Sequence, residues 1–406
     1  MTGVLTPPRI DTAVSEGDRP RRGLLHSDAV RVLLLVLAWQ AVLTIAGALI
    51  QSALSKHAMP SVVTHTGNWD GGWFQRVLNG EYATNKAAPA FYPLFPFAVL
   101  LVQWASFGAL PTLWAGLLVN TAATWLGVLA LLGIGRHLLG GRLAPWLLVA
   151  LYLAAPPAFF LHEFYSEAIF IALAFWAYLF ALRRQWVYMG LCLIPLTAAR
   201  ITAILFVGLC FLEFWRSRDW KVRGLLSWQV LWFPASALGW LGYATWLSIV
   251  AGDPLAMAKA YRATNEWAYH VFEPNILLTL VRQSHQAWRL LSGQAAWGQY
   301  DLPNTILPLV GLALLVLASC YLVRALRGPG LPLALFGAAS LVMFTLNSNL
   351  VSVYRYLLPC LGLYLAVAVF VRRKPSWSAL LIPLFALSLG VQATMMTLFT
   401  VLKWAG

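Results

Sequence analysis

Asp70 lies in the run NWDGGW at residues 68–73, and Tyr92 lies in the run FYPLFP at residues 91–96. Glycine lets a backbone approach a ligand closely, and tryptophan holds a loop at the headgroup region of a membrane. A carboxylate in this setting indicates a site for a lipid-borne substrate, with Trp69 and Tyr92 as further contacts. The alternative is a solvated loop aspartate flanked by interfacial aromatic residues.

A second polar cluster, HEFYSE at residues 162–167, precedes a long apolar stretch. We predict that Glu163, Tyr165 and Glu167 bind substrate. Structural roles explain part of this pattern, because Ser166 is placed to cap a helix and Glu167 in its first turn suits the helix dipole. Glu163 fits an exposed turn equally well, and His162 is expected to be a loop histidine rather than a metal ligand.

Two arginines are candidates for binding an anion. Arg200 has mostly apolar residues on either side, and Arg355 lies in the run YRYLLP at residues 354–359. Because an unpaired charge at membrane depth is costly, Arg200 needs a partner. That partner is either a carboxylate, Glu163 or Glu167, or the phosphate of a bound lipid, which we favour. Arg355 is predicted to bind the same phosphate, and snorkelling to the interface is its simpler alternative.

The composition places these residues in a membrane protein. Of the 406 residues, 60% are hydrophobic and 10% are charged, and the mean hydropathy is +0.73. Since a spanning helix needs roughly 20 apolar residues, the long apolar segments predict an all-α polytopic membrane protein with about ten membrane helices. The net charge of +14 does not indicate nucleic-acid binding, because the arginines form short clusters between apolar segments and set membrane orientation.

The arginine clusters also predict the topology. Residues 1–30 are expected to form a disordered cytoplasmic tail before a first helix near 31–53. Residues 54–90 and 251–303 are then outer loops of a single transmembrane domain, 31–406. Eight of the fourteen carboxylates map to the outer side. They are Asp70, Glu81, Glu163, Glu167, Asp253, Glu266, Glu273 and Asp301.

Two segments are predicted not to cross the membrane. Residues 91–108 are aromatic and broken by proline, and they are expected to form a re-entrant or interfacial helix. Residues 186–215 contain two apolar stretches of about fourteen residues, too short to cross separately at about 1.5 Å per residue. They predict a hairpin with Arg200 at its tip, lining a cavity that tolerates the broken backbone.

The outer segment 251–303 mixes aromatic and polar residues and predicts an interfacial helical lid. Trp267 and Trp288 are candidates for stacking on a sugar ring. The alternative, which we favour for these two residues, is an ordinary interfacial position.

In their order, these motifs resemble the PIG-V mannosyltransferases of the GT-C superfamily. The resemblance rests on Trp69-Asp70, FYPLFP, YSE at 165–167, the Arg200 segment and YRYLLP, and it covers most of the chain. It implies a GT-C-like helix bundle with an extracytoplasmic cavity. It also implies transfer of a sugar, usually mannose, from a polyprenyl-phosphate carrier to an acceptor hydroxyl with inversion. Asp70 is then the expected general base, and Arg200 and Arg355 are our candidates for stabilising the leaving phosphate.

The resemblance sets expectations for partners and location. The partners are a lipid-linked sugar donor, an acceptor that is a glycolipid, a polysaccharide or a protein, and membrane lipids. The protein is expected to span the cell inner (plasma) membrane several times, with a cytoplasmic N-terminus. No cofactor is expected to be required beyond the donor substrate, a polyprenyl-phosphate sugar. The sequence has no DxD pair or His/Asp cluster that would require a divalent metal, and the use of such a metal is left open.

Two other functions use the same residues. A transporter or flippase of a lipid-linked or anionic substrate predicts polar residues along a route to the cytoplasmic face, where the sequence has few beyond loop arginines. A noncatalytic lipid-binding subunit predicts that Asp70→Asn lowers stability instead of selectively lowering activity. A nucleotide-driven pump is disfavoured, because no P-loop motif is present.

Overall fold

The structure, a computed structural model, describes residues 22–54, 61–263 and 271–403. These residues form helices and connecting loops, and their one β-type contact is an isolated bridge between Phe272 and Asn347. The expected all-α membrane architecture is confirmed. Trp267 and most of the proposed tail lie outside the described residues.

The described part of the chain contains seventeen α-helices. They are α1 (Arg22–Leu54), α2 (Asp70–Leu78), α3 (Leu94–Ala105), α4 (Thr112–Leu139), α5 (Leu143–Leu153), α6 (Glu167–Leu182), α7 (Trp186–Thr197), α8 (Ala203–Arg216), α9 (Trp232–Ala235), α10 (Ala237–Val250), α11 (Ala256–Ala263), α12 (Ile276–Leu291), α13 (Leu307–Ala325), α14 (Gly330–Thr345), α15 (Val353–Tyr356), α16 (Leu361–Arg373) and α17 (Leu381–Thr400). Short 3₁₀ helices at Thr64–Gly67 and Pro156–Leu161 lie before α2 and α6.

Four described segments are long and apolar enough to cross a membrane alone: Ser27–Leu54, Thr112–Leu139, Leu302–Ala325 and Pro375–Thr400. The apolar helices α3, α5, α6, α7 and α14 have only 11 to 16 residues. At 1.5 Å per residue the longest of these covers about 24 Å, less than the ~30 Å of a hydrocarbon core. The described residues therefore combine long spanning helices with short or broken ones, as the sequence predicts for segments 91–108 and 186–215.

The first helix begins earlier than predicted. Residues 22–30, assigned from sequence to the disordered tail, belong to α1. Asp28 in this extension is buried and forms an ion pair with Arg136 of α4 at 2.5 Å, and the Trp125 indole donates to the Ala29 carbonyl at 2.9 Å. The extension is therefore anchored by packing against α4, which the local sequence does not show.

The predicted hairpin around Arg200 is present. Helices α7 and α8 are separated by residues 198–202, which carry Arg200 at the turn. The Thr197 hydroxyl donates to the Ser236 carbonyl at 2.6 Å, and the Leu94 amide donates to the Ala198 carbonyl at 3.3 Å. The tip of the hairpin thus contacts the first residue of the short helix α3, so the turn between α7 and α8 lies beside the start of α3.

Glycines let α4 pack closely against α6 and the segment before it. A Cβ at Gly116 would overlap the Phe164 ring, and a Cβ at Gly133 would crowd the side chain of Leu179 at 2.7 Å. Small residues let helix backbones approach in a membrane, where dispersion contacts and not water exclusion drive association. This packing holds the segment 162–167 against the bundle.

We expect Gly116→Ala to destabilise the protein relative to Gly208→Ala. Both changes gain helix propensity, but only the first places a methyl group against a buried ring, because nothing lies within 4 Å of a Cβ at Gly208. Overpacking of this kind costs about 1–3 kcal/mol. Thermal unfolding of the two variants in one detergent measures the difference, and equal melting temperatures would contradict the packing.

Candidate active site

A cavity of about 340 Å³ opens where the short helices meet. Its wall combines the start of α2, the loop before α3, the start of α6, the hairpin turn, and the chain from the end of α14 through α15. The polar side chains that line it are Asp70, Tyr92, Tyr165, Ser166, Glu167, Arg200, Thr202, Tyr261, Asn347, Ser352, Arg355 and Tyr356. The structure thus brings together residues that are nearly 290 positions apart in sequence.

Asp70 is the first residue of α2, and two contacts hold it. Its carboxylate Oδ2 lies 2.8 Å from Arg355 Nη1, and its backbone amide donates to the Tyr165 hydroxyl at 3.0 Å. The preceding residue, Trp69, has φ +54° and ψ −118°. A non-glycine residue in this region costs about 1–3 kcal/mol and persists only where surrounding contacts require it. The turn therefore directs Asp70 into the cavity and Trp69 away from it.

Arg355 is buried between two carboxylates. Its side chain is 4% exposed, Nη1 contacts Asp70, and Nε lies 3.2 Å from Glu167 Oε1. Its guanidinium carbon also lies 5.3 Å from the ring centres of Phe160, Tyr165 and Tyr356. Delocalised charge and planar geometry suit guanidinium to such a site. Arg355 therefore does not snorkel to the interface.

Arg200 extends this contact into a chain of four charges. Its Nη1 lies 2.5 Å from Glu167 Oε1 and donates to the Ser166 hydroxyl at 3.3 Å. The order is Asp70, Arg355, Glu167, Arg200, so each charge has an opposite neighbour and the formal sum is zero. The two ends, Asp70 and Arg200, are 17% and 18% exposed, while Arg355 and Glu167 are 4% and 6% exposed. The ends are therefore the parts most open to a ligand.

The remaining predicted residues divide into two groups. Tyr92 and Tyr165 line the cavity, as predicted for substrate contacts. Trp69 does not line it and instead packs against a buried cluster that includes Phe159 and Tyr165. Ser166 lies at the N-cap of α6 but makes no capping hydrogen bond with its side chain, because its hydroxyl serves Arg200. The carboxylate that pairs with Arg200 is Glu167, not Glu163.

Glu163 is not an exposed turn residue and does not line the cavity. It is fully buried beside His162, whose Nδ1 lies 3.3 Å from Glu163 Oε1. Burial raises the pKa of Glu163 to about 8 and lowers the pKa of His162 to about 3. The predicted contact between Glu163 and substrate therefore lacks support from its position. His162 lies in a loop, as expected, but its side chain is fully buried.

The outer segment contributes to the cavity wall. Tyr261 of α11 and Phe272 line the cavity, and Phe272 forms its bridge to Asn347, while the Ser348 amide donates to the Val271 carbonyl at 2.8 Å. Trp288 of α12 is 64% exposed and does not line the cavity. Sequence reasoning missed the wall residues Tyr261, Asn347 and Tyr356. Of these three, only Tyr356 could have been found from the sequence, because it follows the candidate Arg355 directly in the run YRYLLP.

Comparison with solved structures identifies the architecture. ArnT from Cupriavidus metallidurans, bound to undecaprenyl phosphate, superposes with a TM-score of 0.52 at 14% identity over 91% of this chain and 76% of its own. The Archaeoglobus fulgidus oligosaccharyltransferase in complex with Zn and sulfate superposes with a TM-score of 0.52 at 13% sequence identity. AglB from the same organism, in complex with an inhibitory peptide and a dolichol-phosphate, superposes with a TM-score of 0.51 at 12% sequence identity. The chain has a GT-C fold.

The comparisons extend no further than the fold. The two archaeal matches include 91% and 92% of this chain. They include only 53% and 56% of the archaeal proteins, so this chain spans about half of their length. No protein-family model matches the sequence, and no curated protein matches it. The GT-C-like fold expected from the motifs is supported, and membership of the GT-C superfamily and of the PIG-V family stays a prediction.

We expect Arg355→Ala to destabilise the protein by about 3–5 kcal/mol, because it removes the buried cation that the buried Glu167 and the partly exposed Asp70 share. Arg282→Ala is the matched control, since Arg282 pairs with Glu273 at 3.7 Å while 54% exposed, and its loss should cost less than about 1 kcal/mol. Unfolding in detergent measures both. Equal losses would show that Arg355 is not the central cation of a buried chain.

Proposed function

We propose that the protein is a glycosyltransferase that moves a sugar from a polyprenyl-phosphate carrier to an acceptor hydroxyl outside the cytoplasm, with mannose as the first candidate. One observation carries the proposal: a carboxylate and two arginines, Asp70, Arg200 and Arg355, line a single cavity. Two proteins of the same fold were solved with undecaprenyl phosphate and dolichol-phosphate, respectively. A base and a phosphate-binding pair are what transfer from such a carrier requires.

In the proposed reaction Asp70 takes the proton of the acceptor hydroxyl. The acceptor oxygen attacks the anomeric carbon, and the bond from that carbon to the carrier phosphate breaks on the opposite face, with inversion. The phosphate leaves on its lipid with one more negative charge than it had as a diester. Arg200, at the open end of the charge chain, binds this phosphate, and Arg355 stabilises it from behind.

Tyr92, Tyr165 and Tyr261 belong to the aromatic part of the cavity wall and are proposed to contact the sugar and the acceptor. Glu167 is proposed to orient both arginines, because it contacts each of them. Trp267 stays a candidate for stacking on the sugar. The proposed setting is the cell inner membrane, with the N-terminus in the cytoplasm, and the acceptor is a glycolipid, a polysaccharide or a protein.

We expect Asp70→Asn to lower sugar transfer by about 10²- to 10⁴-fold, because the amide cannot accept the hydroxyl proton. Purified protein, radiolabelled polyprenyl-phosphate-mannose and a membrane extract as acceptor provide the assay, at equal amounts of folded protein. Asp253→Asn is the matched control. Asp253 pairs with Lys259 at 2.6 Å, does not line the cavity, and should leave activity within about twofold.

Transfer by Asp70→Asn at the wild-type rate would remove Asp70 as the base. If the wild-type protein transfers no label from polyprenyl-phosphate-mannose or from other polyprenyl-phosphate sugars, the transferase proposal fails. Movement of the labelled carrier across a liposome bilayer by the same preparation would then favour the flippase.

We expect Arg200→Ala to lower kcat/KM for the donor by about 10²- to 10³-fold, as loss of one charge-stabilising group does. Arg200→Lys should keep more of the wild-type kcat/KM than Arg200→Ala but less than the full value, because lysine keeps the charge but loses the planar pair of donors. Arg289→Ala, an exposed arginine of α12, is the control. The assay is transfer at varied donor concentration. A similar effect of Arg200→Ala and Arg289→Ala would place the phosphate elsewhere.

A further inference from the structure

Three side chains outside the cavity form a buried cluster. His65 lies in the 3₁₀ helix Thr64–Gly67, and His162 and Glu163 lie between the 3₁₀ helix Pro156–Leu161 and α6. All three are fully buried, and one ligand atom from each lies within 4.8 Å of the others. None of the three lines the cavity. The cluster therefore has no role in the reaction described above.

The hydrogen-bonding capacity of this cluster is only partly used. His162 Nε2 lies 2.8 Å from the Thr44 hydroxyl, and its Nδ1 faces Glu163 Oε1. Among the described residues, Glu163 Oε2 makes no hydrogen bond, and the ring of His65 interacts only weakly, with the Val62 backbone. Buried polar atoms in native proteins nearly always have a partner, so neighbouring ligand atoms with unused capacity are available to bind an ion.

The surrounding residues make room for His65. A Cβ on Gly47 of α1 would overlap the His65 imidazole, so glycine is required at this point of the spanning helix. The rings of His65 and His162 are stacked, with centroids 5.6 Å apart and planes 10° from parallel. Burial lowers the pKa of both histidines, which keeps the imidazoles neutral. Neutral imidazole is the form that binds metal ions.

We propose that His65, His162 and Glu163 bind a divalent transition metal, with Zn²⁺ as the best match to the donor set. Two imidazoles and one carboxylate are a known Zn²⁺ ligand set, with bonds of about 2.0–2.2 Å. Binding one ion requires the three ligand atoms to approach each other and one ring to rotate out of the stack. The Glu163 proton leaves to solvent as the metal binds, because only the carboxylate is a ligand.

The ion would fasten the loop that carries Asp70 to the segment that carries Tyr165 and Glu167. One hydrogen bond already holds this junction, from the Phe164 amide to the Thr66 carbonyl at 3.0 Å, while the Asn120 side chain of α4 donates to the Glu163 carbonyl and fixes the second segment to the bundle. Asp70 follows His65 by five residues, and Tyr165 follows His162 by three. The metal is thus structural: it positions both walls of the cavity without contacting the donor.

The test measures metal content and does not depend on sugar transfer. Full-length protein in detergent is stripped with EDTA, incubated with Zn²⁺, desalted and analysed by mass spectrometry for metal. We expect about one Zn²⁺ per chain in wild type, a rise in melting temperature on Zn²⁺ addition, and tetrahedral absorption bands when Co²⁺ replaces it. His285→Ala, an exposed histidine of α12, should bind the same amount.

His65→Ala and Glu163→Gln should each lower Zn²⁺ affinity at least about tenfold and abolish the Zn²⁺-dependent rise in melting temperature. Gly47→Ala keeps all three ligands but displaces His65, and it should weaken binding as well. Wild type without bound Zn²⁺ would overturn the proposal, even if sugar transfer is normal. So would full Zn²⁺ binding by His65→Ala and Glu163→Gln, because the ion would then lie elsewhere. If these variants fail to fold, the wild-type content and the Co²⁺ spectrum still decide.

Discussion

The buried chain from Asp70 through Arg355 and Glu167 to Arg200 is the constraint on which the rest of the structure depends. An isolated charge cannot be held in a bilayer-spanning bundle at reasonable cost, so each of the four needs its neighbour. Since the four residues lie on α2, α15, α6 and the hairpin turn, their pairing brings four separate elements to one point. The cavity is the space that remains when elements too short to cross the membrane meet around these charges.

The sequence predicts the class of fold well because membrane proteins follow strong local rules. Apolar length, arginine position and helix-breaking residues are local properties, and they indicate the all-α architecture, the hairpin at Arg200 and a helix within residues 91–108, where α3 lies. The start of α1 was misplaced because polar residues interrupt the apolar ones in residues 22–30, and Asp28 pairs with a distant partner, Arg136. A contact between residues 108 positions apart leaves no mark in the local composition.

The candidate site shows the same division. Asp70, Arg200 and Arg355 could be identified one at a time, because a charge beside apolar or aromatic residues is locally unusual. Their arrangement could not, since Asp70 and Arg355 are 285 positions apart. The assignment of Glu163 to the substrate site was unsupported for a related reason. Whether a carboxylate in a loop faces solvent or the core depends on His65, 98 positions earlier, and an isolated histidine in a loop carries no sign of that contact.

The position of Arg355 gives the proposed chemistry a simple charge balance. When Asp70 accepts the acceptor proton, it loses its negative charge, and the leaving phosphate gains one. Arg355 contacts Asp70 through Nη1 and Glu167 through Nε, so it loses attraction to one partner just as a new anion forms beside it. Because the guanidinium is buried and already oriented, it can stabilise this charge with little reorganisation, which is how electrostatic catalysis lowers a barrier. One buried cation would thus link proton transfer at one end of the chain to phosphate departure at the other.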